Sequence, residues 1–216
     1  MNVPLNTLSP LPSALSQPRV NGVGRRHLIG DYDINRDALR HFNDLLEYLD
    51  LHQTPLDCDQ VASAARELVD RNREGVAPRC IQQRIRRGAA VDLMLKDPDW
   101  ETVAAAATRA VLLVDYLRGS GTLIPHAMPV VGRLDDAIVV EAAWPSLAEE
   151  VRQYLAFCRI RHVEATLRGE THRHFGFTRE QGQAAARAEA GWIAHCQRVG
   201  HDSYLRSGAP AGFRVH

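Results

Sequence analysis

The chain has 216 residues, with 26 basic and 26 acidic side chains, 45% hydrophobic residues and only 6% aromatic ones. A chain of this length buries a core without disulfides or metal, and its neutral balance argues against a dedicated nucleic-acid or anionic-membrane binder, which carries a large basic excess. The four cysteines, Cys58, Cys80, Cys158 and Cys196, form no Cys-x-x-Cys pair. That spacing suits reduced thiols in the cytoplasm better than zinc binding or thiol exchange. No segment supplies the roughly 20 apolar residues of a membrane span, and the first residues lack the basic start and apolar run of a signal peptide. The expected compartment is therefore the cytoplasm, with peripheral membrane attachment left open. Lys96 is the sole lysine, and the arginine excess reads as the composition of a GC-rich bacterial genome rather than as a clustered anion site.

Residues 1–30 carry Pro4, Pro10, Pro12 and Pro18 among Ser, Asn and Gly without a sustained helical period, which predicts a disordered tail. In composition this leader loosely resembles an export signal of bacterial type III effectors. Thereafter the period is helical. Leu39, Phe42, Leu45, Leu46 and Leu49 lay one apolar stripe along a helix over 36–51, ended by Thr54-Pro55. Val61, Ala65, Leu68 and Val69 mark a second helix, and Ile81, Ile85, Ala89 and Leu93 a third. Asp97-Pro98 reads as the N-terminus of a fourth, running to Leu117. Two capping boxes, Ser146 with Glu149 and Thr178 with Gln181, announce two later helices. Alternating strand patterns are almost absent. The expected fold is all-α, a compact bundle of about six helices, with one domain over 31–206 and a flexible C-terminus over 207–216.

The most distinctive stretch is residues 119–140, Gly-Ser-Gly-Thr-Leu-Ile-Pro-His-Ala-Met-Pro-Val-Val-Gly-Arg-Leu-Asp-Asp-Ala-Ile-Val-Val. Pro125 and Pro129 forbid a regular helix between them, Gly132 permits a tight turn, and Asp135 and Asp136 fall in the first turn of the next helix. There the two carboxylates are expected to cap free backbone amides. The alternative left open is that one caps while the other, with His126, binds a divalent cation or polarises a water. Leu123, Ile124, Pro125, Pro129, Gly132, Leu134, Asp135 and Asp136 together resemble the signature of the YkvA-like bacterial family, over about residues 105–145. Thr122 and His126 stand where that signature has aspartates, and Gly119-Ser120 where it has Ser-Pro. The resemblance implies a Pro/Gly-punctuated helical hairpin of apolar character, described as membrane-associated, with no established activity.

Other constellations are weaker. His172 and His174 form a His-x-His pair that, with His162 and Glu164 or Glu170, sketches a metal site. Arg79, Arg84, Arg86 and Arg87 form the densest basic cluster, expected as a solvated helix face. Cys158 and His162 share a helical face but suit a core better than a nucleophile. No Walker, Rossmann or Gly-x-Ser-x-Gly pattern supports nucleotide or serine-ester chemistry.

The expected function is a non-catalytic interaction or regulatory module, docking on a protein partner or the membrane surface, with no cofactor expected and a divalent metal left open. Nucleic acid is not expected as a partner, although local binding is left open, and the docking surface would be the hairpin's apolar face at Met128, Val130, Val131 and Ile138. The alternatives are a metal-dependent hydrolase or lyase using His126, Asp135, Asp136 and His172 or His174, and a secreted effector led by residues 1–30. Oligomeric state is not legible from the sequence.

Overall fold

A side-chain cap and an apolar stripe set the first helix, α1 (Arg36–Leu49). Asn35 accepts from the amides of Asp37 and Ala38, and Leu39, Phe42, Leu46 and Leu49 are buried. The computed structural model describes residues 8–17, 27–51, 54–72, 75–119, 121–171 and 175–202. Helix α2 (Cys58–Arg71) opens on a capping box in which Asp57 and Gln60 exchange bonds with each other's amides. Helix α3 (Arg79–Lys96) follows Pro78, and α4 (Ala104–Leu117), α5 (Leu134–Leu167) and α6 (Arg179–Asp202) complete an all-α fold in which 68% of the described residues are helical. Among the described residues the only strands are β1 (Leu28–Ile29) and β2 (Tyr32–Asp33), an antiparallel pair with Leu28 opposite Asp33 and Ile29 opposite Tyr32. No helix among them is long and apolar enough to cross a membrane.

The chain divides into two compact units, Met1–Pro98 with Thr102–Arg152, and Asp99–Glu101 with Gln153–His216. In the first unit, Phe42 packs on Tyr116 with ring centroids 5.8 Å apart, among the buried Val61, Val91, Met94, Leu113, Leu123 and Leu134. In the second, Trp100 lies 5.6 Å from Tyr154 and 5.2 Å from Phe157, and Phe177 joins Phe157 at 5.6 Å. The Arg179 guanidinium sits 4.0 Å above Trp100, and Arg161 pairs with Asp99 at 3.1 Å.

Several expected elements shift. Residues 97–103 are not helical, because Trp100 is drawn into the aromatic cluster and α4 starts only at Ala104. Ser146 opens no helix. It lies inside α5, which runs through Pro145, and its hydroxyl donates to the Ala143 carbonyl at 2.8 Å. The Thr178 box does form: Thr178 donates its amide to Gln181 and accepts from the Gln181 amide.

On α3 the buried face is Ile81, Arg84, Gly88, Val91 and Met94, whereas Ala89 and Leu93 are exposed. At Gly88 the Leu117 side chain packs into the space a Cβ would take, its Cδ1 standing 2.4 Å from that position. Residues 9–14 of the expected tail pack on the first unit: the Ser9 amide donates to Gln83 at 2.8 Å, the Ser13 hydroxyl to Glu67 at 3.1 Å, and Ala14 is buried. Residues 27–30 of that tail are also ordered, with Leu28–Ile29 forming β1, whereas its residues 1–7 and 18–26 and the C-terminus 207–216 lie outside the described residues.

Candidate functional site

The segment between α4 and α5 is organised from behind by a buried carboxylate. Asp135 has no exposure, and its Oδ2 accepts from the Tyr116 hydroxyl at 2.8 Å, the Leu123 amide at 2.8 Å and the Ile124 amide at 3.1 Å. The expected capping role is therefore corrected in its target. Asp135 binds amides of the incoming chain eleven and twelve residues earlier, not those of its own helix. A carboxylate accepting several donors is among the stronger arrangements a buried charge finds. Burial and the Asp135 charge push the Tyr116 phenol well above its ordinary range, so it stays protonated and donating. Tyr32, from the β-hairpin, donates to the Leu123 carbonyl at 3.0 Å and fixes the same residue from its other side.

The turn that follows is built of close backbone contacts. Met128 donates its amide to the Pro125 carbonyl, and Gly132 to the Met128 carbonyl, both at 3.0 Å. A Cβ on Gly132 would lie 2.5 Å from the His126 carbonyl oxygen and 2.6 Å from that of Met128, so glycine at 132 is a steric requirement of the turn. Val130 sits at φ +68°, a left-handed conformation that costs a β-branched residue of order 1–2 kcal/mol.

Asp136 faces the other way. Its Oδ2 accepts from Arg133 Nε at 2.6 Å and lies 3.3 Å from His126 Nε2, while its carboxyl is fully buried. Burial raises its pKa against the opposing pull of Arg133. Among the described residues, Asp135 Oδ1 and Asp136 Oδ1 have no protein partner.

His126, Arg133 and Gly132 form one wall of a cleft of about 410 Å³, with Met128 and Val130. The opposite side comes from Ala77 and from Ile81, Gln82, Ile85 and Arg86 on α3. The structure thus brings together His126, Asp136 and Gly132 of the expected site, leaves Asp135 buried behind the wall as its support, and places Pro125 on the exposed turn outside the cleft lining. The expected basic face is dispersed. Arg84 is a correction: it is 2% exposed and donates to Glu141 at 2.9 Å and to the Ser9 and Cys80 carbonyls. Arg87 lies 4.1 Å over Trp144, and only Arg79 and Arg86 of the four are exposed.

Sequence reasoning missed Arg133, Gln82 and Tyr116. The Arg133-x-x-Asp136 spacing was a usable signal, because i and i+3 side chains meet on a helical turn; Tyr116 carried none.

Among the described residues, no group of three or more His, Cys, Asp or Glu side chains is arranged to hold a metal ion. His172 and His174 lie outside the described residues. No protein-family model, curated protein or solved structure matches the chain.

Gly132→Ala is expected to destabilise the first unit by about 2–4 kcal/mol in urea unfolding, since backbone atoms block the Cβ; a cost under about 1 kcal/mol would contradict this contact geometry. Asp136 gives a signed pH prediction. Its folded pKa is raised, so its contribution to stability is present below the ordinary carboxylate range and is lost as pH rises through the raised value. Asp136→Asn should therefore gain stability relative to the parent as pH rises above the ordinary carboxylate range of about 4. Urea midpoints across that rise check it, and a difference that is flat or of opposite slope would refute it.

Proposed function

We propose that the chain is an interaction module that docks a protein partner in the cleft between α3 and the Pro125–Gly132 turn. One observation carries this reading: a strained residue, Val130 at φ +68°, is held at the lip of a 410 Å³ cleft by a turn that Asp135 and Gly132 keep rigid. Strain of this kind persists where surroundings over-determine it, and it concentrates at ligand clamps. A cleft of several hundred cubic ångströms with mixed apolar and polar walls suits side chains of a bound segment.

The docking surface differs from the one expected. Val131 and Ile138 are buried in the first unit at 1% and 5% exposure, so the hairpin's apolar face is core. What remains accessible is the cleft edge at Met128 and Val130. A membrane surface is a poorer occupant, because a flat lipid face does not enter a concavity. The likeness of residues 105–145 to the YkvA-like family belongs to the same reading, since what it implies is a helical hairpin without an established activity.

The metal-dependent alternative is disfavoured by electrostatics. Asp135 Oδ2 already accepts three donors, and the Arg133 guanidinium occupies the Asp136 oxygen nearest His126, where it would repel a cation.

The test is a photo-crosslinking side chain at Met128, introduced in the cells the chain comes from, with the exposed Arg187 as control position. The expected result is a defined protein adduct at position 128 that disappears when Ile85→Asp is added to a chain of unchanged circular dichroism. Adducts no more abundant than at position 187, or indifferent to Ile85→Asp, would contradict the proposal.

A further inference from the structure

The charge on the cleft walls specifies what enters it, an inference that rests on the docking reading above. Among the described residues, Arg86, Arg133 and His126 line the cleft, and no Asp or Glu does. The Asp136 carboxylate behind the wall is shared between Arg133 and His126, one acid facing two bases. Arg86 is exposed and, among the described residues, makes no ion pair or hydrogen bond. Beside these bases the wall is apolar at Ile81, Ile85, Met128 and Val130. A guanidinium lacking an acid partner next to an apolar wall is complementary to a carboxylate flanked by an apolar side chain.

We infer that the cleft takes an acidic-apolar peptide segment of the partner, in which Asp or Glu adjoins Leu, Ile, Val or Met, and that Arg86 selects the carboxylate. The chain's own terminal stretches do not supply it: residues 1–7, 18–26 and 203–216 contain no Asp or Glu, and the last two carry arginines. A charged pair at a partly open cleft also explains why the fixed Arg133 is not the selecting cation. Its Nε is already committed to Asp136, whereas the Arg86 fork is unengaged among the described residues.

The test titrates the full chain, labelled with ¹⁵N, with an acetylated and amidated peptide of sequence Gly-Leu-Glu-Glu-Leu-Glu-Gly and with its Gln counterpart. The acidic peptide should shift the amides of Ile85, His126 and Gly132, and the Gln peptide should bind about tenfold more weakly, the scale of one charge-assisted hydrogen bond. Arg86→Gln should weaken the acidic peptide by a similar factor. Arg79→Gln, an exposed cation of the same helix outside the cleft, should not. Added salt should weaken binding as well.

Equal binding of the two peptides, shifts away from the cleft, or a response of these amides only to phosphatidylglycerol vesicles would overturn the inference. If neither peptide binds while the Met128 crosslinker still captures a partner that Ile85→Asp releases, the acidic segment falls and the docking reading stands. If the acidic peptide binds as described and no adduct forms in cells, the docking reading falls and the cleft's preference stands.

Discussion

A single buried carboxylate fixes the connection from which the cleft is made. Asp135 stands at the start of α5 with no exposure and accepts on one oxygen from a tyrosine hydroxyl and two main-chain amides. Burying that charge costs several kcal/mol unless donors replace the lost water, and the donors here come from α4 and from the loop itself. The consequence runs one way. Leu123 and Ile124 are pinned, Pro125 begins the turn at a defined place, and the turn delivers His126 and Arg133 to a wall facing α3. Tyr116, packed against Phe42 of α1, and Tyr32 of the hairpin tie the same loop to two further elements.

The adjacent acid does different work because its neighbours differ. Among the described residues Asp136 receives no backbone amide; it meets Arg133 and His126, and burial keeps its pKa raised. Two identical side chains one residue apart thus divide into a support behind the loop and a charged backing for the cleft wall. That division depends on α5 geometry, in which consecutive residues point about 100° apart around the helix.

Much of this was legible from the sequence where the signal is local. The α1 stripe, the Thr178 cap and the Pro-Gly-Asp-Asp segment are short-range patterns, and the structure contains each of them. What was not legible depends on contacts far apart in the chain. Arg84 reads as a surface cation until Glu141 and the Ser9 carbonyl, from distant segments, enclose it. Ser146 reads as an N-cap, yet Pro145 merely removes one amide from a helix long enough to continue through it. The Gly88 face of α3 was passed over because glycine carries no hydrophobic signal, although its missing Cβ is what admits Leu117. Tyr116 gave no clue at all, since nothing in a helix sequence marks one tyrosine as the donor to an acid on the next helix.

The central claim is that Asp135 holds the loop through the Leu123 and Ile124 amides, and native-state hydrogen exchange reads those two amides directly. Both lie outside any helix, so ordinary loop behaviour would let them exchange near the unprotected rate. The account requires them to exchange with the slowest helical amides of the first unit, at least about 10⁴-fold slower than unprotected, and to lose that protection in Asp135→Ala. Exchange within about tenfold of the unprotected rate in the parent chain would contradict it.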